Sequence, residues 1–113
     1  MKTLTLPLPP PINQTYGIGN RRMYKTDKAK EWENLAGYIL LPLRPKNPMK
    51  GRLCAKFTMF LKWDRDLDSS LKLLFDLMQK MRFYVNDSQI DEMRIKKVKD
   101  KENPRLEIEI KEI

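Results

Sequence analysis

A chain of 113 residues fits one domain, and at 41% hydrophobic and 34% charged residues it can fill a core beneath a charged surface, which argues against disorder. Twenty-three Lys and Arg against 15 Asp and Glu give a net charge of +8, favouring a polyanionic partner, with nucleic acid the leading one. A single cysteine excludes an intramolecular disulfide and a cysteine-built zinc site, and the lack of histidine excludes Ser-His triads, His bases and the common transition-metal sites. Any catalysis then rests on carboxylates, Lys, Arg, Tyr or a hard cation. No 18-residue apolar run, signal peptide or lipidation motif stands out, so a cytoplasmic protein without a membrane partner is expected.

Residues 1–113 are read as one domain. From Met1 to Leu8, Leu4, Leu6 and Leu8 alternate with Thr3, Thr5 and Pro7, predicting a strand stopped by Pro9, Pro10 and Pro11. A long loop from Ile12 to Lys25 follows, and its Gly17-x-Gly19 lacks the strand and helix that a phosphate-binding loop needs. Thr26 or Asp27 can cap a helix whose stripe is Ala29, Trp32, Ala36 and Ile39, widened by Leu35 and Leu40, and which ends before Pro42. A basic, proline-rich turn runs to Gly51.

Period two returns over Arg52 to Lys62, where Leu53, Ala55, Phe57, Met59 and Leu61 face a core. The acidic turn Asp64-Arg65-Asp66-Leu67-Asp68 leads into a second helix over about Ser69 to Met81. Its apolar arc is wider than one core face requires, which with Phe83 and Tyr84 points to a subunit interface. Two strands, Ile90 to Lys99 and Arg105 to Ile113, close the chain through a hairpin connection at Asp100 to Pro104. The order β-α-β-α-β-β predicts an α+β domain in which both helices pack on one mixed sheet.

Asp66 and Asp68 leave the same side of an extended chain, so the two carboxylates can face one point. A hard dication, Mg²⁺ or Mn²⁺, would relieve their repulsion, but on this pair alone the capping of the second helix by Asp68 ranks ahead of catalysis. Lys72, four residues on, can lie beside the same point and steady a phosphate. Taken singly it is more commonly half of a surface ion pair with Asp68 or Asp76, worth about 0.3–0.5 kcal/mol.

Asp66-Leu67-Asp68, Lys72, Asp76 and then Asn86-Asp87-Ser88-Gln89-Ile90 resemble, in type and spacing, the signature of the RusA endodeoxyribonucleases. The opening Leu6-Pro7-Leu8-Pro9-Pro10 with Asn13 and Tyr16 is similar to that family's first strand and Pro-Pro-x-Asn loop. The resemblance implies Asp66, Asp68 and Asp87 as metal ligands, Lys72 as their catalytic partner, and resolution of four-way (Holliday) junctions in DNA recombination and repair. Ser69 stands where the family commonly has Asn, and Asn86 where it commonly has Asp.

A helix over residues 69–81 carries the chain roughly 18–20 Å from the Asp pair, and residues 82–87 recover at most about 20 Å. Asp87 can thus just reach its own Asp pair or serve a neighbouring subunit, and the same chain is the simpler expectation. Arg21, Arg22, Lys25, Arg65, Lys96 and Lys97 are candidate phosphate contacts, with Asn13 and Tyr16 beside them and Tyr16 and Tyr24 able to stack on bases. The two-fold symmetry of a four-way junction suggests a homodimer, and no small-molecule cofactor is implied. The rival readings are a non-catalytic basic DNA-binding module and a metal-dependent nuclease for other branched DNA or RNA.

Overall fold

The computed structural model describes residues 3–11, 14–19, 22–66 and 71–113. Asn13, Arg21, Asp68 and Ser69, all named above, lie outside them. The described chain forms β1 (Leu4–Leu6), β2 (Tyr16–Gly19), β3 (Arg22–Lys25), α1 (Asp27–Leu40), β4 (Leu53–Leu61), α2 (Leu71–Lys80), β5 (Ile90–Lys99) and β6 (Arg105–Glu112). The fold is α+β: a mixed sheet in the order β1-β6-β4-β5 and a separate β2-β3 ribbon.

The predicted loop of Ile12 to Lys25 is therefore largely a hairpin. Its glycines accommodate an aromatic ring: Gly17 faces Tyr24 across the ribbon, and a Cβ on Gly17 would come within 2.5 Å of that ring. The Gly-x-Gly spacing lets Tyr24 lie flat across its partner strand. This pairing joins residues three to nine apart, from Gly19↔Arg22 to Tyr16↔Lys25, in a segment without regular apolar alternation, so local periodicity could not signal it.

Thr26 caps α1, its hydroxyl accepting from the Ala29 N–H at 3.2 Å and donating to the Gln14 carbonyl at 2.6 Å. The helix buries Ala29, Trp32, Ala36 and Leu40, while Leu35, counted in the stripe above, is exposed. Trp32 Nε1 donates to the Pro7 carbonyl at 2.9 Å, which ties α1 to the proline run after β1.

In β4 the alternating set Leu53, Ala55, Phe57, Met59 and Leu61 is buried beneath the helices with Leu4, Leu6, Leu106, Ile108 and Ile110. β6 runs antiparallel to β4 on one side, and β5 runs parallel to it on the other, from Leu53↔Ile90 to Leu61↔Lys99. Near the start of this pair Asp91 is an extra residue on β5, since Leu53 faces Ile90 and Cys54 faces Glu92. The unit β4-α2-β5 is thus a parallel crossover, and α2 spans from the end of β4 back to the start of β5.

The apolar arc of α2 is consumed by its own chain. Leu71, Leu73, Leu74, Leu77 and Met78 are buried, and Phe83 and Tyr84 are only 0% and 1% exposed. The interface expected from that arc is not there. The arc is wide because α2 and the turn after it are embedded in the core together.

α2 ends in a Schellman turn, with the Arg82 N–H donating to Gln79 O at 3.0 Å and the Phe83 N–H to Met78 O at 3.1 Å. Arg82 takes the left-handed conformation, φ 64°, that glycine adopts without a Cβ penalty. Arg82→Gly is expected to raise stability by up to about 1 kcal/mol, seen as a higher urea midpoint at unchanged m.

Candidate functional site

The turn bearing Asp87 is built around one buried side chain. Gln89 Oε1 accepts from the backbone N–H groups of Val85 (2.9 Å) and Asn86 (2.8 Å), and its Nε2 donates to the carbonyls of Met49 and Gly51 (both 2.9 Å). All the hydrogen-bonding capacity of the amide is used. Asn86 completes a capping box, its side chain accepting from the Ser88 N–H at 2.9 Å, so Asp87 opens a short 3₁₀ turn with a fixed start.

The turn has two more anchors. Gln79 of α2 accepts from the Asp87 N–H at 3.0 Å. Arg52 donates to the Ser88 carbonyl at 2.8 Å and makes a two-pronged pair with Asp91, the extra residue of β5. The Asn-x-x-Gln spacing was a legible capping-box signal, whereas the Met49 and Gly51 partners are too distant in sequence to be anticipated.

Beneath this turn the buried Tyr84 hydroxyl donates to the Phe75 carbonyl at 2.9 Å. Burial, reinforced by the charges of Asp87 and Asp76, pushes the phenol well above its ordinary value, so it remains a protonated donor. Asp87 is half-buried, and Asp76 pairs with Lys72 at 3.8 Å across one turn of α2. That is one of the two ordinary ion pairs open to Lys72 on sequence grounds.

Asp66 belongs to the other end of the unit. The segment leading to it is moored by Lys97 of β5, whose Nζ lies 2.8 Å from Asp64 Oδ1 and 3.1 Å from the Arg65 carbonyl. Hydrogen bonding from Lys97, with its charge, holds the Asp64 carboxyl below the ordinary value. Arg65, partly buried and so lowered by desolvation, donates to the Pro9 carbonyl at 2.6 Å. Asp66 itself is exposed.

β4 and β5 are parallel and in register, so the turn before β5 and the turn after β4 lie at opposite ends of the pair. Nine residues of β4 span about 26 Å at ~3.3 Å per residue. The flanking turns do not close that gap: one is tied to Met49 and Gly51, the other to Lys97. Among the described residues no group of three metal-ligating side chains comes together. Asp87 and Asp66 are thus set toward opposite ends of the strand pair, while Asp68, the other half of the Asp pair, lies outside the described residues. The contour-length limit allowed contact, but the parallel register directs the chain away from it.

The candidate DNA contacts also divide. Arg22 is exposed on the ribbon and Tyr16 is half-buried there, while Lys25 is paired with Glu33 at 2.9 Å. Lys97 lies opposite core-facing Met59, on the helix side near the acidic turn. Lys96, opposite Thr58, faces the other way, into an open cleft of about 440 Å³ shared with Lys56, Arg94, Glu107 and Glu109. Neighbours in sequence, Lys96 and Lys97 serve opposite sheet faces.

An α+β domain of net charge +8, with a carboxylate at each of two turns, is of the class that meets a polyanion such as nucleic acid. The comparisons give that class a family. Residues 7–111 match the family described as Endodeoxyribonuclease RusA, and the chain belongs to it. The crossover junction endodeoxyribonuclease RusA of Escherichia coli K12 is 30% identical over 115 residues, covering 98% of this chain and 94% of that protein. The protein of the same name from Enterobacteria phage 82 is also 30% identical, covering 97% and 93%. That of Lactococcus phage r1t is 52% identical over 48 residues, 42% of this chain and 36% of the phage protein.

Two measurements test this description. Gln89→Ala should lower stability by about 2 kcal/mol in urea unfolding, because four part-buried backbone groups lose their partner, whereas Asn86→Asp, which caps equally well, should change it by less than about 0.5 kcal/mol. Because its pKa is depressed in the folded state, Asp64 contributes stability above the ordinary carboxylate value that is lost as pH falls through the depressed one. NMR titration of Asp64 should show a midpoint that rises in Lys97→Met.

Proposed function

We propose that this protein resolves four-way DNA junctions by divalent-metal-dependent phosphodiester hydrolysis, in recombination and repair, and that it acts as a homodimer. The observation that carries the reading is its end-to-end similarity to the crossover junction endodeoxyribonuclease of E. coli. The carboxylate donor set, in a chain without histidine, suits Mg²⁺ or Mn²⁺.

The separation of Asp66 from Asp87 supports a composite site. A two-fold axis that sets β5 antiparallel to its copy brings the Asp66 end of one subunit to Asp87 of the partner subunit, and does so twice. Each dimer then carries two equivalent sites, matched to the two nicks that productive resolution needs. The metal held there would polarise the scissile phosphate and lower the pKa of a bound water.

Lys72 stands in the first turn of α2, and its ammonium, paired with Asp76 in the folded chain, would turn to balance charge on the phosphate undergoing in-line displacement. The products are a 5′-phosphate and a 3′-hydroxyl. Because the α2 arc is buried, the subunit contact must use other surface. The open edge of β5, the last strand of the sheet, is available for it.

A synthetic four-way junction should be cut with Mg²⁺ and left intact in EDTA, whereas a DNA-binding module would bind equally in both. Asp66→Asn and Asp87→Asn should each abolish cutting. Mixed and allowed to exchange, they should recover about a quarter of the wild-type nicking sites, because half the dimers are heterodimers with one intact composite site. Sites confined to single chains would recover nothing.

A further inference from the structure

Trp63 belongs to no part of the core or of the proposed metal site. Of the two tryptophans, Trp32 is 6% exposed and hydrogen-bonded, while Trp63 is 76% exposed. It stands two residues past the end of β4 and three before Asp66. The Lys62 ammonium lies 5.6 Å from its ring centroid.

The ring borders a cleft of about 470 Å³ beyond the C-terminal ends of the parallel strands β4 and β5, also lined by Lys62, Lys97, Lys99 and Lys101. Among the described residues the one carboxylate lining this cleft, Asp64, is already held by Lys97. Lys62, Lys99 and Lys101 therefore give the cleft a net positive charge around an exposed aromatic face. Leaving an indole in water forfeits its large apolar burial, and none of the described residues covers it.

An aromatic face set among lysines suits single-stranded nucleic acid, in which an unpaired base stacks on the ring while flanking phosphates meet the ammonium groups. Duplex bases are already stacked and expose no face. We propose that Trp63 is a stacking shelf for an unpaired nucleobase, on the strand whose scissile phosphate lies at the Asp66 end, with Lys62, Lys99 and Lys101 holding the adjoining phosphates. Trp63 is thus a positioning residue, fixing the nucleotide beside the cut and favouring DNA with unstacked bases at a branch over intact duplex.

The assignment rests on the nuclease reading for the identity of the neighbouring phosphate, so its test is made without cleavage. Asp66→Asn protein in EDTA and low salt is titrated with a short oligothymidylate and with an abasic oligomer of equal phosphate number, following tryptophan emission and affinity. Oligothymidylate should quench the exposed emission and bind about tenfold more tightly than the abasic oligomer. Trp63→Ala should abolish both differences and Trp63→Phe should restore most of the affinity difference.

Equal quenching by the two oligomers, or unchanged oligothymidylate preference in Trp63→Ala, overturns the shelf. Neither result bears on whether the wild-type protein cuts junctions. Conversely, a wild-type protein that cuts nothing would leave a base-dependent quench in place, so the two readings fail separately.

Discussion

The parallel pairing of β4 with β5 governs everything else about this molecule. A parallel neighbour cannot be reached by a tight turn, so the chain must cross over, and α2 is that crossover. The crossover needs a connection at each end of the strand pair. Those two connections carry Asp66 on one side and Asp87 on the other. An antiparallel β5 would have put the start of that strand beside the end of β4 and let a single chain gather its own carboxylates.

Much of the fold was legible because its elements carry strong periodicity. The alternation from Leu53 to Leu61 and the helical spacing of Ala29, Trp32 and Ala36 located β4 and α1 to within a residue or two. Less was legible where strand pairing decides: the closing strands β5 and β6, expected as a hairpin, each pair with β4 instead. The β2-β3 ribbon is held by cross-strand contacts in a stretch without a regular apolar stripe. The apolar breadth of α2 was visible, yet breadth alone cannot distinguish a partner subunit from the chain's own core, and here Phe83 and Tyr84 fold in beneath the helix.

The candidate site shows the same division. Residue type and spacing singled out Asp66, Lys72 and Asp87, and the family match agrees with the resemblance that those residues carry. Their relative placement was not legible, because strand direction is not encoded in local pattern. Nor was the part played by Gln89, whose partners Met49 and Gly51 lie 40 and 38 residues away. Trp63 escaped notice for a different reason: on sequence grounds an aromatic at a strand end is ordinary core, and only its exposure sets it apart.

The length of the β4-β5 ladder acquires a further meaning in the proposed dimer. With one composite site at each end of the strand pair, the ladder works as a ruler that sets the separation of the two cutting positions. An insertion of two residues in both strands would preserve which side chains face the core, since alternation is kept, yet would move the sites apart by about 7 Å at ~3.3 Å per residue. A resolvase tuned to the width of a junction can therefore vary its surface freely but not the number of rungs between its ends.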